Sequence, residues 1–109
     1  MNNSYKIVSL YCFRPISEKK LFNLREKIEK YGEKGLTGLI ILAREGINGT
    51  ICGNEEIVNI LCKEIKDFLE NQDVNEKISF SENKIFKKLK IKIKAEIVTM
   101  GINHISPEI

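Results

Sequence analysis

The chain has 109 residues, of which 42% are apolar and 30% charged. That length builds one domain around one core, and that balance excludes both a disordered tract and a chain of membrane spans, since no apolar run approaches the roughly 20 residues that cross a bilayer. The net charge of +3 is unevenly held: residues 1–83 carry 12 basic and 13 acidic groups, whereas residues 84–109 carry six lysines and two glutamates.

The basic excess therefore belongs to one short segment, and that segment is where a polyanionic partner is expected. Residues 1–6 carry no basic stretch followed by a long apolar one, so no secretory leader is read there and the cytoplasm is the expected compartment. Cys12, Cys52 and Cys62 are widely spaced, and the one histidine, His104, lies far along the chain. This pattern predicts neither a zinc site nor a disulfide framework, and each cysteine is expected as a small buried hydrophobe. No metal and no membrane partner are expected.

Tyr5 to Phe13 is rich in Ile, Val, Leu, Tyr and Phe and reads as a first strand, interior to its sheet because both faces carry apolar residues. Pro15 ends it. Ser17 is a suitable N-cap, with Glu18 at the positive end of the helix that follows. Leu21, Leu24, Ile28 and Tyr31 recur at helical spacing, and Gly32 and Gly35 flank the stop.

A second strand is predicted over about Leu36–Arg44 and a third over about Ile47–Cys52. Between them Glu45, Gly46, Asn48 and Gly49 supply the chemistry of a tight polar turn, since glycine and asparagine tolerate positive φ. Arg44 and Glu45 stand at its mouth. Turn-making and mutual pairing account for them; the competing role is that Arg44 clamps a phosphate or stacks on a base while Asn48 orients a partner.

Asn54 can cap a second helix, whose expected apolar face is Ile57, Ile60, Leu61, Ile65, Phe68 and Leu69, broken at Asn71-Gln72-Asp73. A fourth strand is predicted over about Lys77–Phe80, followed by a turn at Ser81-Glu82-Asn83. Then comes the clearest period of two: Leu89, Ile91, Ile93 and Ala95 alternate with Lys88, Lys90, Lys92 and Lys94. This is a fifth strand with one wet face. Residues 101–109 show little pattern and read as a tail or the start of a linker, leaving 1–100 as the domain.

The order β-α-β-β-α-β with an added strand predicts an α+β, ferredoxin-like split β-α-β sandwich: two helices on one face of an antiparallel sheet, the other face partly open. Tyr11 and Phe13 lie on the opposite face from Cys12, toward the open side of the sheet, where they could stack on bases as in an RRM; the third strand lacks the aromatic pair that an RRM carries there, so core packing is the better assignment.

Arg44-Glu45-Gly46-Ile47-Asn48-Gly49-Thr50, together with Phe86-Lys87-Lys88-Leu89-Lys90-Ile91-Lys92 and Lys94-Ala95-Glu96-Ile97-Val98-Thr99-Met100-Gly101, resembles the N-terminal domain of the rhodanese-domain tRNA uridine hydroxylases. The resemblance runs from about Tyr5 to Pro107. It implies an acylphosphatase-like fold and an intact enzyme that converts the wobble uridine of tRNA to 5-hydroxyuridine with molecular oxygen as co-substrate. That family's catalytic cysteine lies in a rhodanese domain, so no catalytic residue and no cofactor is expected in this chain. It reads as a fragment, inactive alone, whose partners are tRNA and a rhodanese domain in the same or another polypeptide.

The lysine face then has a direct physical reading. Alternate residues of a strand stand about 7 Å apart, close to the spacing of phosphates along a nucleic-acid strand. Lys84, Lys87, Lys88, Lys90, Lys92 and Lys94 are accordingly candidates to hold an RNA backbone, with Arg44 as a further candidate; lysines would hold phosphates without reading bases. The competing role is edge protection, because charged edge strands resist pairing with another sheet. Two other functions stay open: an assembly module pairing through its edge strand, and an acylphosphatase-type hydrolase. The latter needs a glycine-rich phosphate cradle after the first strand, where this chain reads Phe13-Arg14-Pro15-Ile16-Ser17.

Overall fold

A computed structural model describes residues 4–70 and 74–94. The elements run β1 (Tyr5–Phe13), α1 (Glu18–Gly32), β2 (Thr37–Ala43), β3 (Gly46–Gly53), α2 (Glu55–Phe68), β4 (Asn75–Ser81) and β5 (Leu89–Lys94). They form one five-stranded sheet in the order β4-β1-β3-β2-β5. The first four strands pair antiparallel, as expected, but β5 lies parallel to β2. The sheet is therefore mixed, not wholly antiparallel. The tail, His104, the break at Asn71-Gln72-Asp73 and the block from Ala95 to Gly101 lie outside the described residues.

The helices start where local chemistry dictates. Ser17 accepts a hydrogen bond from the Lys20 amide and Asn54 from the Ile57 amide, each satisfying one orphan N–H of its helix. Leu21, Leu24, Ile28 and Tyr31 of α1 are buried as their spacing predicts. The buried face of α2 is Val58, Leu61, Cys62 and Ile65, with Leu69 just beyond. Ile60 was expected inside but is 48% exposed, because Val58 and Cys62, not Ile60, share the stripe of Leu61 and Ile65. Both helices pack on Val8, Leu10, Cys12, Ile40, Leu42, Ile47 and Ile51, which come from one face of β1, β2 and β3.

Gly38 and Gly46 have φ of +144° and +147°. A Cβ at Gly46 would meet the Cys12 carbonyl oxygen at 1.9 Å, and one at Gly38 the Thr50 carbonyl oxygen at 2.2 Å. These strands approach so closely that only glycine fits.

The hairpin turn itself is the pair Arg44-Glu45, closed by Ala43 opposite Gly46. Gly46 opens β3, and Asn48 and Gly49 lie within it, not in the turn as expected. The turn's carbonyls are not wasted: the Arg14 amide donates to Glu45 O and the Ile16 amide to Arg44 O, each at 2.8 Å. The loop after β1 is thereby fastened to the β2–β3 hairpin.

Strands β4 and β5 sit on opposite edges, so residues 82–88 must cross the end of the sheet. Four strand spacings make roughly 19 Å, and seven extended residues reach about 24 Å. The connection has little slack. It holds station where the Gly38 amide donates to Lys88 O at 3.1 Å and where Lys84 Nζ stands 5.9 Å from the Tyr5 ring centre.

Candidate nucleic-acid interface

Strand alternation and register fix what lies on the face that the helices leave uncovered. β1 contributes Tyr5, Ile7, Ser9, Tyr11 and Phe13; β3 contributes Asn48, Thr50 and Cys52; β2 contributes Thr37, Leu39, Ile41 and Ala43, of which Cys52, Thr37 and Ala43 are buried. On the edges, β4 adds Asn75, Lys77, Ser79 and Ser81, and β5 adds Lys90, Lys92 and Lys94. Two rows cross the sheet near the hairpin turn. One reads Asn75, Tyr11, Asn48, Ile41, Lys92; the next reads Phe13, Gly46, Ala43, Lys94.

Among the described residues, no carboxylate occupies an open-face position of any strand. Glu76 of β4 points to the helix side, where Lys66 pairs with it at 3.0 Å. Glu64 lies on α2, engaged by Lys27 and by the Tyr31 hydroxyl, which donates to it. Glu45 and Glu82 lie in turns.

The lysines of β5 are all exposed and share this face. Lys84, Lys87 and Lys88, also exposed, continue the row around the Tyr5 end of the sheet. A hollow of about 390 Å³ lies between these two arms, lined by Leu39, Phe86, Lys87, Lys88, Lys90 and Lys92. The structure thus brings five of the six candidate lysines to one border: four line the hollow and Lys94 follows them up β5, while Lys84 lies apart over Tyr5. Arg44 is exposed in the turn at the Phe13 end.

Tyr11 and Phe13 were expected in the core. They are 46% and 56% exposed, paired edge to face with ring centres 5.7 Å apart. The expectation failed because neither α1 nor α2 lies over this side of β1. The alternation that buries Leu10 and Cys12 was a sufficient signal to place both rings outside. Ser9 and Thr50 join hydroxyls at 2.9 Å across the same face, so it is partly polar.

Arg14, in the loop where an acylphosphatase would cradle phosphate, is used structurally. Its Nη1 donates to the Leu69 carbonyl at the end of α2, and its Nη2 stands 3.8 Å from Glu70. The three cysteines are buried, and burial chiefly pushes the Cys62 thiol up to about 11. A thiol so placed is not a ready nucleophile.

A mixed sheet backed by two helices, with exposed lysines along one edge, defines a ferredoxin-like α+β domain. The comparisons with known proteins narrow it. Residues 5–97 match the family model described as the UPF0176 acylphosphatase-like domain, and the chain belongs to that family. It is 50% identical over 104 residues to a protein named tRNA uridine(34) hydroxylase from Prochlorococcus marinus (strain MIT 9215), covering 94% of this chain and 34% of that protein. A namesake from Rickettsia bellii is 37% identical over 107 residues, 42% of its length. The chain spans about a third of the length of the Prochlorococcus marinus relatives that it matches at about 50% identity. Among solved structures, the BLUF protein BlrB superposes with a TM-score of 0.68 at 13% identity, over 87% of this chain and 74% of that one. An acylphosphatase from Coxiella burnetii superposes at 0.55 with 18% identity, over 83% and 94%. At such identities these likenesses concern the fold alone.

Proposed function

We propose that this domain seats the tRNA substrate of a wobble-uridine hydroxylase working in the cytoplasm. The oxidation of uridine to 5-hydroxyuridine, with molecular oxygen, belongs to a rhodanese domain in the same or another chain. The observation that carries this reading is the open face bordered by Lys87, Lys88, Lys90, Lys92 and Lys94, with no carboxylate among its described strand positions. The relatives' name supplies the substrate class. The buried cysteines are consistent with chemistry placed elsewhere.

Each lysine that neutralises a phosphate releases counterions and steepens the fall of log K with log salt by roughly 0.7–0.9. The test is fluorescence anisotropy with a labelled anticodon stem-loop from 50 to 300 mM salt. Changing Lys88, Lys90 and Lys92 together to Gln should weaken binding at low salt and flatten the slope by about 2. Unchanged affinity and slope would refute the proposal.

A further inference from the structure

Lysine borders explain affinity for any polyanion but not a preference among RNAs. The centre of the open face adds what the border lacks. Tyr11 and Phe13 stand exposed side by side on β1, and Asn48 is the partner of Tyr11 on β3. Beside Phe13 the row continues through the buried Gly46 and Ala43 to the exposed Lys94, so the rings and the lysine are what this row presents. From β1 to β5 is three strand spacings, roughly 14 Å. That span admits a base lying flat on an aromatic ring, with its sugar and phosphate reaching toward Lys92 and Lys94.

We infer that Tyr11 and Phe13 form a stacking platform for unpaired nucleotides, with Asn48 offering an amide to a base edge, so that the face selects single-stranded loops over duplex RNA. This rests on the RNA-seating reading above and adds the form of RNA recognised. A duplex hides its base faces in the stack, whereas a loop can splay them onto aromatic side chains. The occupant is argued from charge: a face with aromatics at its centre, lysines on both edges (Lys77 on β4; Lys90, Lys92 and Lys94 on β5) and no carboxylate among its described strand positions suits a polyanion with exposed rings. An apolar protein surface would meet exposed lysines along both edges.

The chain holds no tryptophan, so it gives a clean background for fluorescent bases. The experiment titrates the chain into a seven-nucleotide single strand carrying 2-aminopurine, and separately into a labelled RNA duplex of equal phosphate number. The wild type should quench 2-aminopurine and prefer the single strand. Tyr11→Leu and Phe13→Leu should each weaken single-strand binding by roughly 5- to 150-fold, the range for losing one stacked base. Both should leave duplex binding and the salt slope unchanged. Tyr11→Phe keeps the ring and should restore binding, which separates stacking from a lost hydroxyl; circular dichroism confirms that each variant is folded. Equal affinity for strand and duplex, or leucine variants that still bind and quench, would overturn the platform while leaving the lysine reading intact. Loss of the salt slope in the lysine variants with the strand preference retained would instead count for the platform. A wild type that binds neither RNA would overturn both.

Discussion

Gly46 is the position at which one added methyl group should do most damage. Its Cβ would lie 1.9 Å from the Cys12 carbonyl oxygen, whereas real Cβ contacts essentially never fall below 3.0 Å, so β1 must retreat by about 1.1 Å. The φ of +147° adds strain of about 1–3 kcal/mol for a residue with a side chain. Spoiling one or two β1–β3 hydrogen bonds costs about 0.5–1.5 kcal/mol each. Gly46→Ala should therefore lose about 2–5 kcal/mol, a large share of the 5–15 kcal/mol typical of a domain. With an m-value of about 1.5 kcal/mol/M, the urea midpoint falls by roughly 1.3–3.3 M. Two controls grade the effect. Gly35→Ala meets open space and bears only the strain of φ +97°, about 1 kcal/mol. Gly53→Ala meets flexible side-chain ends at 3.2 and 3.3 Å and should stay within about 1 kcal/mol of the wild type. A Gly46→Ala protein within 0.5 kcal/mol of the wild type, or more stable than Gly53→Ala, would refute this reasoning ~ in each case because the close approach of β1 and β3 would not then be what demands glycine.

Three further outcomes are expected. Arg14→Ala should destabilise by about 1–3 kcal/mol, since it uncaps the Leu69 carbonyl and removes one of the two cations beside Glu70, and Arg14→Lys should recover little because one ammonium cannot replace the guanidinium fork; urea unfolding checks both. Tyr31 donates to Glu64, and that bond, with burial and the Glu64 charge, raises its pKa from 10.0 to about 12. Its stabilising contribution is therefore whole below pH 10 and is lost as pH climbs toward 12; the stability difference between wild type and Tyr31→Phe should shrink across that window, and a constant difference would contradict it. The thiols of Cys12, Cys52 and Cys62 are buried, so a chromogenic disulfide reagent at pH 8 should react slowly with the native chain and titrate all three in urea.

Much of the fold was legible because local rules and packing agree. Ser17 and Asn54 cap the helices that they were expected to cap, and β1 has its predicted bounds of Tyr5 and Phe13. The hairpin was legible as a hairpin but its turn was misplaced. Two glycines and an asparagine announce a turn, yet Gly46 and Gly49 are there because neighbouring backbones press on them within the sheet. Turn chemistry and close strand approach both call for glycine, and local sequence does not separate them. The parallel pairing of β5 was hidden because alternation tells which side chains share a face, not which neighbour a strand takes. The lysine border was legible from that alternation alone. Tyr11 and Phe13 were misread because a hydrophobic residue on a strand announces a face, and only the sheet with both helices in place tells whether that face is covered.

The central claim is that RNA lies across the uncovered face of the sheet. The most direct measurement is a nuclear magnetic resonance titration of the isotope-labelled chain with an unlabelled anticodon stem-loop. The account predicts shifts concentrated at Ser9, Tyr11, Phe13, Asn48, Ile41, Lys90, Lys92 and Lys94, with the solvent sides of α1 and α2 silent. Shifts gathered on the helices, or none at saturating RNA, would contradict it.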